Sequence, residues 1–182
     1  MNSAPPFEIV PYDPAWAAAF EAEAARLRVA LGAVAVRIDH HGSTSVPGLA
    51  AKPIIDIQIS VATLRPMATY ADPLVSLGYV HLPDPDDAVC PFFHRPAEWP
   101  HTHHVHVVEA GGVEERRTLA FRDYLRAHPN VAAEYERLKH AIAARLSPRD
   151  AEAREAYARA KSEFIQRVVA IALRGENRSG VI

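Results

Sequence analysis

The sequence predicts an α/β fold of the α+β kind: a small mixed β-sheet flanked by helices, with a helical C-terminal third. Three observations carry that prediction. Residues 54–61 alternate with a period of two, setting Ile55, Ile57, Ile59 and Val61 on one face of a strand and Ile54, Asp56, Gln58 and Ser60 on the other. Trp16, Phe20, Leu27 and Leu31 recur at helical spacing ahead of that strand. From Val113 onward the apolar spacing is helical.

The elements follow in order. Asp13 caps the first helix and Pro14 takes its first position, where a missing N–H costs nothing; Gly32 is the stop. A β-rich run covers residues 34–41. Residues 42–49 hold too much Gly, Ser and Pro for either regular element and read as a shaped loop before the strand at 54–61. Leu64, Met67, Leu74 and Leu77 mark a second helix ending at Gly78, shortened or interrupted by Pro66 and Pro73. Short strands are expected at 79–82 and 92–95, with turns at 83–87 and 97–100, then a strand at 103–109 ended by Gly111 and Gly112. Helices follow at 114–127 and at 129–146, the latter with a stripe of Val131, Tyr135, Leu138, Ile142 and Leu146. One last helix begins at the cap Ser147, with Pro148 and Asp150 near a capping box, and buries Tyr157, Phe164, Val168 and Ile171. Residues 175–182 are expected to fray.

With 182 residues, 49% apolar and 23% charged, the chain is expected to form a single domain over residues 1–182. A net charge of -2 argues against a broad nucleic-acid surface. Residues 1–6 lack the basic and apolar regions of a secretory signal, and no apolar run reaches bilayer length. No membrane partner is therefore expected, and the expected location is cytoplasmic. Cys90 stands alone, which excludes an internal disulfide and fits a reducing compartment. It has no obvious activator, and Gly-x-Ser-x-Gly and Walker-type loops are absent. Oligomeric state is not legible.

The expected functional centre runs from Asp39 to Gln58. A nucleotide-transfer site needs backbone N–H groups and hydroxyls for phosphate beside a carboxylate for a divalent ion. Gly42, Ser43, Thr44 and Ser45 offer the first, and Asp56 the second. The alternative is an ordinary turn followed by a strand whose polar face meets solvent. Lys52 reads as a phosphate contact or as a solvated lysine at a strand entrance. Four of the ten histidines fall at His101, His103, His104 and His106; His104 and His106 share one face of their strand.

The run His40, Gly42-Ser43-Thr44-Ser45-Val46-Pro47-Gly48-Leu49, Ala51-Lys52-Pro53-Ile54-Ile55-Asp56-Ile57 resembles the signature of the GrpB family. Tyr12-Asp13-Pro14-x-Trp16, Thr102-His103-His104-Val105-His106-Val107, Phe121-Arg122-Asp123-Tyr124-Leu125-Arg126-x-His128-Pro129 and Tyr157 with Ala160-Lys161 and Phe164-Ile165 extend the resemblance over nearly the whole chain. It implies a nucleotidyltransferase-like fold, in a family with no established reaction of its own. Active members of that superfamily alternate two acids on the strand and add a third from a neighbour. Here Gln58 takes the second place, which puts a two-magnesium site in doubt.

What the resemblance implies for the site is an Asp56 metal centre completed by His104 or His106, with His106 a candidate base. Two imidazoles and a carboxylate suit a transition metal such as zinc, manganese, iron or nickel better than magnesium; the competing reading makes the histidines structural. His40 would orient the loop. Arg122, Arg126 and Lys161 would close over a nucleotide triphosphate, or else form a solvated face with ion pairs. The expected partner is a nucleotide or other phosphorylated small molecule. The expected function is divalent-metal-dependent nucleotidyl transfer to a small acceptor. The alternatives are an inactive nucleotide- or metal-binding module and a histidine-metal hydrolase.

Overall fold

In the computed structural model, residues 8–145 and 151–179 are described. Helix α1 spans Ala15–Leu31, and the Asp13 carboxylate accepts the Ala15 N–H at 2.8 Å, so the cap forms at the expected residue. Gly32 ends the helix at φ 51°, a left-handed conformation that favours glycine. One face of α1 buries Trp16, Phe20, Ala24, Leu27 and Leu31, together with Glu23. That buried acid is fully engaged: Tyr79 donates to it at 2.9 Å, Arg95 at 2.9 Å and Arg26 at 2.7 Å. Burial alone would raise its pKa, but these donors hold it below the ordinary value. The network ties α1 to the far end of the sheet.

Strands β1 (Ala35–His41), β2 (Ile55–Val61), β3 (Val80–Leu82), β4 (Phe92–Arg95) and β5 (His103–Glu109) form one mixed sheet in the order β1-β2-β5-β4-β3. β2 pairs antiparallel with β1 and parallel with β5, and the remaining pairs are antiparallel. Ile55, Ile57, Ile59 and Val61 point into a core shared with α1, with Tyr70 and Leu74 of α2 (Ala68–Ser76), and with Phe93, Val105 and Val107. The opposite face is not open to solvent as half of the sequence reading allowed. Gln58 and Ser60 are fully buried there, because α3 (Val113–Ala127) covers it and Glu115 accepts the Ser60 hydroxyl at 2.6 Å.

A second core joins the β1–β2 loop to the helical third. Val46 and Leu49 pack on Leu125 of α3, on Ala132 and Tyr135 of α4 (Pro129–Arg145), and on Phe164 and Val168. The expected single last helix is two: α5 (Ala151–Ala160) and α6 (Ser162–Ser179), separated at Lys161. Ile171 is exposed rather than buried, and Val169 is buried instead. Helix continues to Ser179, past the expected fraying point at Gly175. The expected cap at Ser147, Pro148 and Asp150, Leu146, and residues 180–182 of the tail lie outside the described residues. Among the described residues no helix is long and apolar enough to cross a membrane.

Removing side-chain volume at Ile57, which is buried at the centre of the sheet, leaves a cavity that neighbouring strands cannot collapse into. Ile57→Ala should cost about 2–5 kcal/mol by urea denaturation with an unchanged m value. A loss of less than about 1 kcal/mol would contradict this packing.

Candidate functional site

Register sets the site. His41 of β1, Asp56 of β2 and His104 of β5 are opposite one another across the three strands, and Asp39, Gln58 and His106 form the next row. Strand parity therefore places Asp39 and His41 on the face of Asp56 and sends His40 to the other. His40 stacks on Phe20 with ring centroids 4.7 Å apart, and its Nε2 lies 3.0 Å from the Thr44 hydroxyl. That hydroxyl donates its proton to the Ile54 carbonyl at 3.3 Å, so Nε2 of His40 is the donor to it. Burial pulls the His40 pKa down to about 4 against the opposing charge of Asp56. His40 is thus a brace for the loop.

The loop folds back onto Asp56. Gly42 adopts φ +68°, and a Cβ there would come within 2.3 Å of an Asp56 carboxylate oxygen. No other residue type fits so close an approach. Thr44 and Ser45 are buried, and Ser45 spends its hydroxyl on the Gly42 carbonyl at 2.7 Å, inside the turn. Arg126 closes the turn from α3 by donating twice to the Ser45 carbonyl, at 3.0 and 2.7 Å. Of the loop's hydroxyls, Ser43 is the one that receives a cation: Lys139 of α4 donates to it at 3.1 Å.

A cavity of about 650 Å³ opens beside this arrangement, walled by Ser43, Thr44, Lys52, Asp56, His104, His106, Lys139, Tyr157 and Lys161, together with Phe92, Trp99 and His101. The structure therefore gathers Ser43, Thr44, Lys52, Asp56, His104, His106 and Lys161 from the sequence reading into one place. It does not gather Ser45 or the two arginines. Arg122 donates to the His40 carbonyl at 3.1 Å and pairs with Asp39 at 3.4 Å and Asp123 at 2.7 Å, which makes it a strut between α3 and β1. Gly42 contributes by its close approach to Asp56.

Asp56 and His104 face each other, with Oδ1 and Nδ1 3.4 Å apart. Burial alone would raise the Asp56 pKa, but the hydrogen bond and charge of His104, then His41 and His106, hold the carboxyl well below the ordinary range. Burial drives the neighbouring imidazoles the other way: His41 is lowered, and His106 falls to about 3. At neutral pH the centre is an ionised carboxylate beside two neutral rings. His106 lies with Nδ1 3.7 Å from the Cys90 sulfur and its ring 5.0 Å from Phe92. Burial pushes the Cys90 thiol up to about 12, so it is inert at neutral pH. Among the described residues no three His, Cys, Asp or Glu side chains are arranged to hold a metal ion. Gln58 stands at the second-acid position, fully buried, with neither amide atom hydrogen-bonded.

Sequence reasoning missed His41, Lys139 and Tyr157. His41 was readable, since its parity with Asp56 follows from an antiparallel hairpin. Lys139 lies within the stripe of Tyr135, Leu138 and Ile142, and a lysine on an apolar stripe is itself a signal. Nothing local marks Tyr157 as a cavity wall.

The GrpB protein family model matches residues 6–170. The chain is 42% identical over 169 residues to UPF0157 protein PA4798 of Pseudomonas aeruginosa, covering 91% of this chain and 67% of that one. It is 41% identical over 137 residues to UPF0157 protein YqkA of Bacillus subtilis, covering 75% of this chain but 40% of the relative's length. A relative called dephospho-CoA kinase, from Mycolicibacterium paratuberculosis, is 35% identical over 158 residues, covering 74% of this chain and 39% of its own length. Among solved structures, the conserved protein GrpB from Enterococcus faecalis superposes with a TM-score of 0.81 at 32% identity, covering 93% of this chain and 99% of that one. The Cid1 poly(U) polymerase bound to magnesium and 3'-dATP superposes with a TM-score of 0.50 at 11% identity, over 71% of this chain and 41% of that one. At that identity the likeness is one of fold, and the fold is nucleotidyltransferase-like.

The close approach at Gly42 sets a test. Gly42→Ala should destabilise the protein by about 2 kcal/mol or more, since the new methyl group meets Asp56 in a strained backbone conformation. Gly48→Ala, with a similar φ of +79° but open space around it, should cost less. Equal losses in thermal unfolding would show that the contact with Asp56 is not what demands glycine.

Proposed function

The chain belongs to the GrpB family, and on that premise we propose that its cavity binds the phosphate groups of a nucleotide and transfers a nucleotidyl or related phosphoryl group to a small acceptor. The observation that supports this most is the convergence on one cavity of the glycine-serine loop, the ionised Asp56 and the ammonium groups of Lys52, Lys139 and Lys161. Phosphate requires fixed positive charge and donors, and transfer requires a carboxylate or base beside them. The nucleotidyltransferase-like fold and a relative called dephospho-CoA kinase agree with nucleotide chemistry. The chain spans 39% of that kinase, so the kinase reaction is not carried over.

In this reading Ser43 and Lys139 hold phosphate, Lys52 and Lys161 flank it, and His104 takes the acceptor's proton, since burial leaves the His106 ring too weakly basic for that role. Asp56 orients His104 across 3.4 Å. Two ions do not fit, because Gln58 is neutral and buried and no three-donor cluster exists among the described residues. One divalent ion, magnesium, manganese or zinc, fits with Asp56 and His104 or His106 as protein donors, the rest of its sphere being phosphate oxygens and water. When bound, it would neutralise charge developing on the transferred group.

The test is a screen of nucleoside triphosphates against small hydroxyl and amine acceptors with each of the three ions, read as release of pyrophosphate for nucleotidyl transfer and of nucleoside diphosphate for phosphoryl transfer. Asp56→Asn should lower turnover about a hundredfold or more, with the fold checked by circular dichroism, and Ser43→Ala should weaken nucleotide binding with little loss of stability. Nucleotide binding without turnover on any acceptor would replace this reading with that of a binding module.

A further inference from the structure

The β1–β2 loop carries three hydroxyls, and they are put to different uses. Thr44 donates to the Ile54 carbonyl and Ser45 to the Gly42 carbonyl, so both are spent on the loop and its strand. Ser43 is half-buried, walls the cavity, and has its Oγ 3.1 Å from Nζ of Lys139. Lys139 is 2% exposed, and its Nζ also donates to the Ala50 carbonyl. Tyr135, one turn earlier on α4, packs its ring centroid 5.0 Å from the same nitrogen. The backbone carbonyl anchors the amine, and the amine meets a hydroxyl that opens into the cavity.

A serine hydroxyl is a weak nucleophile until a neighbouring base takes its proton, and an ordinary lysine, protonated at neutral pH, cannot be that base. Burial changes the lysine. It lowers the Lys139 pKa to about 7, reinforced by the charge of Lys161 and opposed by Glu136 and Asp56. Above that pH the neutral amine prevails, and its lone pair can accept the Ser43 proton while an N–H still donates to Ala50. Tyr135 and Tyr157, which also face this region, are raised by burial and stay neutral over the same range.

We propose that Ser43 and Lys139 are a nucleophile and its base, and that the group transferred in this cavity is carried for a time on Ser43 Oγ. On the reading that the cavity accepts a phosphate-bearing ligand, which this inference requires, transfer becomes two displacements. In the first, Oγ attacks the transferred phosphorus of a nucleoside triphosphate. The Oγ–P bond forms, the P–O bond to pyrophosphate or nucleoside diphosphate breaks, and the Oγ proton passes to Nζ. In the second, the acceptor's oxygen or nitrogen attacks the same phosphorus and the P–Oγ bond breaks. His104 takes the acceptor's proton, and Lys139 returns its own to Oγ. Between the two steps the Lys139 ammonium lies beside the esterified oxygen and faces the phosphate charge. A bound triphosphate favours the Lys139 proton and Lys161 opposes it, so the rise in rate with pH lies higher for a nucleotide than for an uncharged electrophile.

An uncharged fluorophosphonate, which bonds its phosphorus to activated serines with loss of fluoride, reads the pair directly. The expected result is a label on Ser43, located by peptide mass spectrometry. Its rate should climb by up to about tenfold per pH unit below pH 7 and level off above about pH 8. Lys139→Met and Lys139→Arg should each lose at least about a hundredfold of that rate. The arginine keeps the charge without a removable proton, so it separates a base from a cation that only holds the loop; circular dichroism and melting curves report whether each variant folds. With any nucleotide that is turned over, a chiral thiophosphate at the transferred phosphorus should emerge with retained configuration, because two inversions cancel. The label, its pH profile and the stereochemistry need only the wild-type protein, so they decide the matter even where both variants unfold. Inversion at phosphorus overturns the proposal and leaves the phosphate-ligand reading intact. So does an unlabelled Ser43 at pH 8, or labelling at the wild-type rate in folded Lys139→Arg. If Ser43 is labelled as expected but no nucleotide binds or reacts, the nucleophile and its base stand and the phosphate-ligand reading fails.

Discussion

The structure depends on strand β2 being buried on both faces while carrying a charge. Its apolar face is a line of isoleucines that closes the core with α1 and α2. Its polar face is sealed by α3 at Ser60 and Gln58 and opens only at Asp56. A carboxylate at such a place must be met by fixed partners. They are His104 from β5, and Gly42, which lets the backbone of the β1–β2 loop approach the carboxylate closely. The loop's turn, the brace from His40 and the closing bonds from Arg126 all serve that approach. Remove it, and the loop loses its reason to fold back over the sheet.

The electrostatics divide the centre into two kinds of group. Asp56 stays ionised and His41 and His106 stay neutral, because burial penalises an imidazolium while the nearby rings favour the carboxylate. Across the cavity Lys139 donates to the Ser43 hydroxyl and the Ala50 carbonyl, and Lys52 and Lys161 lie over the Tyr157 ring. Compare Glu23, a buried acid on the opposite side of the sheet that is surrounded by three donors. That acid is structural and satisfied.

Much of the fold was legible because periodicity is local. The strand at residues 54–61, the stripe of α1, the cap at Asp13 and the stop at Gly32 appear where the pattern placed them. The misreadings came from tertiary context. The break at Lys161 between α5 and α6 has no proline or glycine to announce it, and the exposure of Ile171 depends on which face α3 leaves for α6. Arg122 looked like a wall for phosphate because charged residues one turn apart often face a ligand; its actual use is to pin Asp39 and the end of β1.

By itself the sequence determined that a glycine-serine loop precedes a strand bearing Asp56, that His104 and His106 share a face, and that a helical third follows. These follow from spacing along one chain segment, which backbone geometry converts directly into direction. Only the tertiary structure decided that β5 lies beside β2, that His41 and not His40 joins Asp56, and that Lys139 from α4 and Lys161 from the α5–α6 junction meet Ser43 and Lys52 in one cavity. Those residues are distant in sequence, and their meeting is set by how two hydrophobic cores pack around the sheet. No pattern within a single element encodes that arrangement.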